Sequence, residues 1–491
     1  MKRPLWLLGA LLLVLYGVSR FSSLGTLPIF LDESVHLRWA FNVAQGDKVF
    51  RPWADGRLLT IWLYALVLPH SRDFLFAARA LSGVAGAVSL GLVFALGGRF
   101  LSSGACLLPC FLYLLCPFTL FYDRMALTDS YLAAGAALVL LLSLRAAEEG
   151  SLPGLVLLGL AHAGSVLVKF SGVLLFFVPP LVALLVGWKG RLVRDAAWAF
   201  GVALLVLAYP LLVFARTDML KIVVGQAKEQ GFFEDALGNA LLASRFLSYY
   251  WGGGLVLLAI VGLPFALRER IGRLLAALTL FPLAVVVLVL RVWYARYILW
   301  VTIPFLLLAS LGAERLWRRG LAGRLLVGGL LLVGVVPWIP RDLRLVQDPP
   351  RAGLPAEEDF QYVNGWPSGY GVREVVGFLS EELRRNPGGI TVVVHSAAHR
   401  AAWNALDLYF QDEPRFDLEA LDFSFPDAVP FLLQGGFSKT RPTYVVLSPR
   451  FEGAHRSTVS QEALKEVARK VASFNKPDGT LATEVYKLGG A

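Results

Sequence analysis

The chain has 491 residues, of which 56% are hydrophobic and 17% charged, and its mean hydropathy is +0.62. That balance excludes an ordinary soluble protein and describes a chain that lives mostly in lipid. The formal charge of +10 does not indicate nucleic acid, because the Lys and Arg residues stand in small groups between apolar runs rather than along one stripe.

Met1-Lys2-Arg3 followed by apolar Leu5 to Tyr16 has the form of a signal peptide, but no small-x-small cleavage site follows it, so it reads as a retained first helix. Crossing roughly 30 Å of hydrocarbon takes about 20 residues. About eleven such runs are legible: near 4–23, 74–98, 102–120, 126–145, 152–168, 171–188, 195–214, 248–267, 273–290, 297–313 and 323–339. With the N-terminus inside, Lys2/Arg3, Arg99, Arg145, Lys189/Arg191/Arg194, Arg268/Arg270/Arg273 and Arg315/Arg318/Arg319/Arg324 all fall on the inner side. The tail beyond Pro340 then lies outside, together with the loop after the first run. Cys106, Cys110 and Cys116 share one apolar run and read as buried side chains rather than a disulfide framework or metal site.

Residues 26–72 are too polar to span and too apolar for a free loop. Ser34–Gln45 and Leu58–Leu68 are expected as interfacial helices, with Trp39, Trp53, Trp62 and Tyr64 at headgroup depth. Further outer loops are Phe118–Asp129, the short Lys169-Phe170-Ser171-Gly172, Arg216–Arg245 as a candidate mobile lid, and Arg291–Tyr297. Beyond a linker marked by Pro349-Pro350 and Pro355, the order helix (Val372–Arg385), strand (Thr391–His395), helix (His399–Phe410), strand (Tyr444–Ser448), helix (Gln461–Phe474), strand (Glu484–Leu488) predicts a small α/β domain. It holds no glycine-rich phosphate loop, metal-ligand spacing or nucleophile elbow, and the chain has no internal repeat. The expected domains are 1–340 in the membrane and 341–491 outside it.

The chemistry concentrates in Leu31-Asp32-Glu33-Ser34-Val35-His36. Two adjacent carboxylates where a membrane segment meets water are costly to keep without a use. Asp123, Arg124, Asp129, Lys169, Arg291 and Arg296 are expected at the same face. A carboxylate can act as base on a hydroxyl, while Arg and Lys hold phosphate oxygens. Transfer of a sugar from a lipid phosphate needs one base and several cations but no acid, since the leaving group is already a stable anion.

The Asp-Glu after the first helix, Arg-Met-Ala-Leu-Thr-Asp at 124–129, Val-Lys-Phe-Ser-Gly followed by Pro179-Pro180, and Arg-Tyr-Ile-Leu-Trp-Val-Thr-Ile-Pro at 296–304 resemble the GT-C membrane glycosyltransferases. The branch most resembled is that of the protein O-mannosyltransferases and aminoarabinose (lipid A) transferases. The resemblance covers roughly residues 1–340. It implies an α-helical polytopic membrane protein that performs an inverting hexosyl or pentosyl transfer from a polyprenyl-phosphate donor to a protein, lipid or glycan hydroxyl on the outer side of the cell membrane. By the same resemblance Asp32 matches the catalytic base and Glu33 its acidic neighbour. Arg124 and Asp129 match a second-loop pair beside Asp123, Lys169 a lysine near the donor phosphate, and Arg296 with Tyr297 the late donor contacts. Asp55-Gly56-Arg57 departs from the family's usual Lys-Pro-Pro entry to the second helix. Some relatives bind a divalent cation, and Asp32 with His36 is an i, i+4 pair able to hold one; no metal is assigned.

Plainer readings stand beside these. Asp32 can be an N-cap for a helix starting at Ser34, His36 a packed histidine, Asp129 a carboxylate at a helix N-terminus, Arg124 a partner of Asp123, and Lys169 a snorkelling lysine. A transporter or lipid flippase is the rival from another class, and predicts inverted repeats with charges at the midplane. A membrane anchor carrying an outer binding module is a third.

Overall fold

A computed structural model describes residues 3–50, 56–215, 236–290, 293–395, 400–421, 427–433, 441–447 and 464–488. The chain divides into two compact units: Met1–Leu24 with Trp39–Pro355, and Gly25–Arg38 with Ala356–Ala491.

The first unit is helical. Among the described residues, seven helices are long and apolar enough to cross a membrane: Phe74–Phe100, Asp129–Glu149, Leu192–Val213, Ala236–Ala266, Arg270–Val289, Ala295–Trp317 and Leu321–Gln347. Four shorter apolar helices accompany them: Leu7–Phe21, Leu58–His70, Leu152–Val168 and Phe170–Leu185. The chain is a multi-pass membrane protein, as its hydropathy predicts. Small residues set the closest packing, since apolar side chains gain little from leaving lipid for each other. A Cβ on Gly262 would stand 2.6 Å from Gly312 Cα, so these two spans touch backbone to backbone. Ala295–Trp317 is the central span, with 94% of its apolar window buried.

Three expectations change here. The run 102–120 is two short helices, Leu108–Leu115 and Pro117–Asp123, parted at Cys116 with ψ 120°. Pro117 offers no N–H and drives the residue before it out of the helical region. The span expected from 248 begins at Ala236 and runs through a π turn at Ser248–Gly252. Residues 236–245 of the candidate lid are therefore helix, and its residues 216–235 lie outside the described residues. The helix expected from Ser34 begins at Leu31. Trp53, Asp55 and Arg291 also lie outside the described residues.

Among the described residues the second unit carries strands β1 (Ile390–His395), β2 (Phe416–Leu421), β3 (Thr443–Leu447), β4 (Ala468–Asn475) and β5 (Leu481–Leu488). They form one sheet of order β2-β1-β3-β5-β4. β1 runs parallel to β2 and β3, while β5 runs antiparallel to β3 and β4. β1 and β3 are buried at every residue, which is why they read as unbroken apolar runs. Val372–Arg385 and Arg400–Phe410 are helices, as expected. Residues 468–474, expected as helix, are instead strand β4. Asp478-Gly479, with Gly479 at φ +83°, turns the chain back, and pairing with β5 overrides the helical pattern. β2 was not anticipated, being short and half-buried throughout most of its length.

Candidate functional site

In the first unit the helix Leu152–Val168 stops at Lys169, whose extended backbone (φ −155°, ψ 133°) leads into the 3-10 helix Phe170–Phe177. Gly172 closes the turn: its N–H donates to Lys169 O at 2.7 Å, and any Cβ there would lie 2.3 Å from Ser165 O. The break aims the Lys169 side chain at Asp129, the first residue of the helix Asp129–Glu149. Lys169 Nζ donates to Asp129 Oδ1 at 2.6 Å and lies 4.5 Å from the centre of the Tyr297 ring. The Arg296 guanidinium stands 5.0 Å from the Tyr294 ring centre and 6.0 Å from that of Tyr297. Arg296 is 6% exposed.

The charges of Arg296 and Arg57 both act on Lys169, so two further cations lie near its ion pair with Asp129. Arg57 is the residue that reading the sequence did not assign. Gly56 explains its place: at φ +67°, with a would-be Cβ 2.8 Å from Phe170 Cβ, it lets the start of the helix Leu58–Val67 lie against the residue after Lys169. The signal was the Asp-Gly-Arg departure itself.

Asp123 and Arg124 go elsewhere. Asp123 is fully buried and accepts from Tyr16 Oη at 3.0 Å and Tyr113 Oη at 3.2 Å, with Arg20 Nε at 3.9 Å. Arg124 caps the first helix: it donates to the carbonyls of Ser19 (2.9 Å), Arg20 (3.2 Å), Ser22 (2.6 Å) and Ser23 (2.9 Å). Arg79 donates to Leu24 O at 2.5 Å. These carbonyls have no partner within the helix, and a buried helix end needs one. Asp123 and Arg124 are thus adjacent in sequence but serve different neighbours.

In the second unit Asp32 and Glu33 occupy the first turn of the helix Leu31–Ala44. Glu33, fully buried, accepts the Phe30 N–H at 2.9 Å. The capping role considered for Asp32 therefore falls to Glu33, and Asp32 sits within the helix, partly exposed. His36 is 1% exposed and packed.

The approach to this turn is held by the outer residues of the same unit. Leu31 N–H donates to Pro367 O at 3.0 Å, and Arg373 donates to Gly25 O at 2.6 Å and Thr26 O at 3.2 Å. The Phe30 and Tyr362 rings meet at 4.7 Å. Gly369 lies so close that a Cβ would stand 2.2 Å from Ile29 O. Behind this loop, Lys476 Nζ donates to Ser368 O (3.1 Å), Ser368 Oγ (2.8 Å) and Tyr370 O (2.7 Å). Among the described residues no group of three or more His, Cys, Asp or Glu side chains is placed to hold a metal ion.

The broken helices and the small mixed sheet define a known class: the chain has the fold of the GT-C membrane glycosyltransferases. Residues 55–214 match the family model described as dolichyl-phosphate-mannose-protein mannosyltransferase. The fold is similar to that of ArnT from Cupriavidus metallidurans bound to undecaprenyl phosphate, with TM-score 0.61, 14% identity and 98% of each chain covered. The apo form of ArnT gives TM-score 0.62 at 14% identity, again with 98% of each chain covered. The apo oligosaccharyltransferase of Archaeoglobus fulgidus is similar at TM-score 0.56 and 12% identity, over 99% of this chain and 74% of the other. No curated protein sequence matches the chain.

Proposed function

We propose that the protein is an inverting glycosyltransferase that moves a hexosyl or pentosyl unit from a polyprenyl-phosphate donor to an acceptor hydroxyl at the outer face of the cell membrane. The observation that carries this reading is Lys169, held between Asp129 and Tyr297 with Arg296 and Arg57 close by. Cations near the Lys169–Asp129 pair suit phosphate oxygens, and they suit them more as the C1–O bond breaks and the singly charged donor diester becomes a doubly charged lipid phosphate. ArnT has been seen with undecaprenyl phosphate, and a phosphate-linked lipid donor suits this chain for the same reason.

Asp32 is the base of the reaction. It takes the proton of the acceptor hydroxyl as that oxygen bonds to C1 of the sugar. The C1–O bond to phosphate breaks on the opposite face, its electron pair leaves on the lipid phosphate, and the anomeric centre inverts. Lys169, Arg296 and Arg57 stabilise the charge that gathers on the phosphate oxygens, while Asp129 orients Lys169. Glu33 fixes the helix start that presents Asp32, and Arg124 fixes the end of the first helix. The basic inner loops support a cytoplasmic N-terminus with residues 341–491 outside.

The test is incubation of the purified protein in lipid with radiolabelled polyprenyl-phosphate sugars, comparing wild type with Asp32→Asn. Asp32-dependent release or transfer of label from one donor is the expected result. Equal turnover by both proteins would sink the assignment of the base.

A further inference from the structure

The second unit holds a cleft of about 300 Å³ that the reaction above does not use. That volume is at the lower edge of small-ligand sites. Its lining joins two aromatic rings, Phe360 and Trp366, to Asp359, Asn364, Lys476, Asp478 and Thr480. Phe360 is 48% exposed and Trp366 40%. Two large rings partly exposed at one cleft leave apolar area that a ligand's C–H face can cover.

The polar side chains are wired to each other before any ligand arrives. Asn364 Nδ2 donates to Asp359 Oδ2 at 2.8 Å, and Asn364 Oδ1 accepts the Asp478 N–H at 3.0 Å. Asp478 Oδ1 accepts from the Thr480 N–H at 2.8 Å and Thr480 Oγ1 at 2.7 Å. This fixes the amide orientation and points the carboxylates, so little ordering remains to be done on binding. Carboxylate and amide oxygens accept from neighbouring hydroxyls, while aromatic rings stack on an apolar face. Lys476 also lines the cleft, but its ammonium is held by Ser368 O, Ser368 Oγ and Tyr370 O. The carboxylates of Asp359 and Asp478 therefore set the charge a ligand meets and disfavour phosphate and other anions. The ligand with adjacent hydroxyls on one edge, C–H groups on a face and no negative charge is a neutral sugar ring.

We infer that this cleft binds a neutral pyranose unit of a saccharide acceptor. The word acceptor rests on the glycosyltransferase reading; the sugar binding does not. The experiment is saturation-transfer NMR on the full chain in nanodiscs with methyl α-D-mannopyranoside, methyl β-D-glucopyranoside and methyl α-D-galactopyranoside. Transfer to at least one of them is expected, falling at least about fivefold in Trp366→Ala and in Asp359→Asn and persisting in Trp366→Phe. No transfer to any pyranoside, or transfer unchanged in both weakened variants, overturns the proposal. Transfer to a trilysine peptide instead, lost in the same variants, makes the cleft a cationic-peptide site and overturns it too. Release of donor sugar to water is measured in parallel and is expected unchanged in Trp366→Ala. If wild type turns over no donor while pyranoside binding stands, the reaction reading fails and the sugar site remains.

Discussion

Lys169 and Asp129, 40 residues apart in sequence, share an ion pair of 2.6 Å, and the same ammonium lies 4.5 Å from the centre of the Tyr297 ring. The pair satisfies a cation that is mostly withdrawn from solvent. Removing the ammonium should weaken binding of undecaprenyl phosphate about tenfold or more in Lys169→Ala, measured by titration in nanodiscs. Asp129→Asn strands the lysine and should cost about 3–5 kcal/mol of stability, seen as a lower unfolding midpoint. An Asp129→Asn variant as stable as wild type would show that the pair does not carry this strain.

Turnover should separate Asp32 from its neighbour. Loss of a general base costs about 10²–10⁴ in rate, so Asp32→Asn should fall by that much in transfer assays while undecaprenyl-phosphate affinity stays within about twofold. Glu33→Gln keeps an oxygen for the Phe30 N–H and should fall less, by about tenfold. A larger loss in Glu33→Gln than in Asp32→Asn would reverse the two roles.

Arg124 holds four carbonyls at the end of the first helix. Arg124→Ala should destabilise the protein by about 2–4 kcal/mol, because buried carbonyls lose charged donors. Arg124→Lys should recover less than half of that, since one ammonium does not reproduce the guanidinium fork. Thermal unfolding of the three proteins in one lipid checks this, and full recovery by lysine would exclude a fork-dependent cap.

Burial pushes the Lys476 ammonium down to about 8, against the pull of Glu374 and Asp478, which favour its charge. Between pH ~8 and ~10.5 the folded chain gives up this proton while the unfolded chain keeps it. The unfolded state then binds more protons, so stability rises with pH across that window. The advantage of wild type over Lys476→Met should be flat below pH ~8 and grow by up to about 3 kcal/mol towards pH ~10.5. Unfolding midpoints at matched pH values give the difference, and an advantage that shrinks with pH would contradict a depressed lysine.

Much of the membrane part is legible in sequence, because length and hydropathy alone define a span. Asp129, Lys169 and Arg296 are legible from their place at segment ends and Tyr297 from the family resemblance alone, and the structure brings the four together in one unit. What escaped depends on long-range packing. Cys116 and Pro117 break a run that is apolar without interruption, and Ala236–Arg245 joins a span despite its polar residues. Strand β4 looks helical until β5 is there to pair with it. Arg57 was visible only as a departure from pattern; its nearness to Lys169 follows from Gly56 meeting Phe170, a contact no spacing reveals. Arg124 illustrates the converse, for an arginine at an outer loop is equally suited to phosphate and to backbone carbonyls, and only the fold shows the carbonyls.

The turn that carries Asp32 and Glu33 leans on Pro367, Gly369 and Arg373, and Arg373 stands 348 residues beyond its partner Gly25. During synthesis from the N-terminus, the carboxylates therefore emerge early and wait for their frame until most of the chain has been made. Loops of that length are slow to close. A ribosome stalled before residue 356 leaves a chain with its apolar segments but without the residues that hold this acidic turn, so the turn takes its shape only after residues 367–373 have been made.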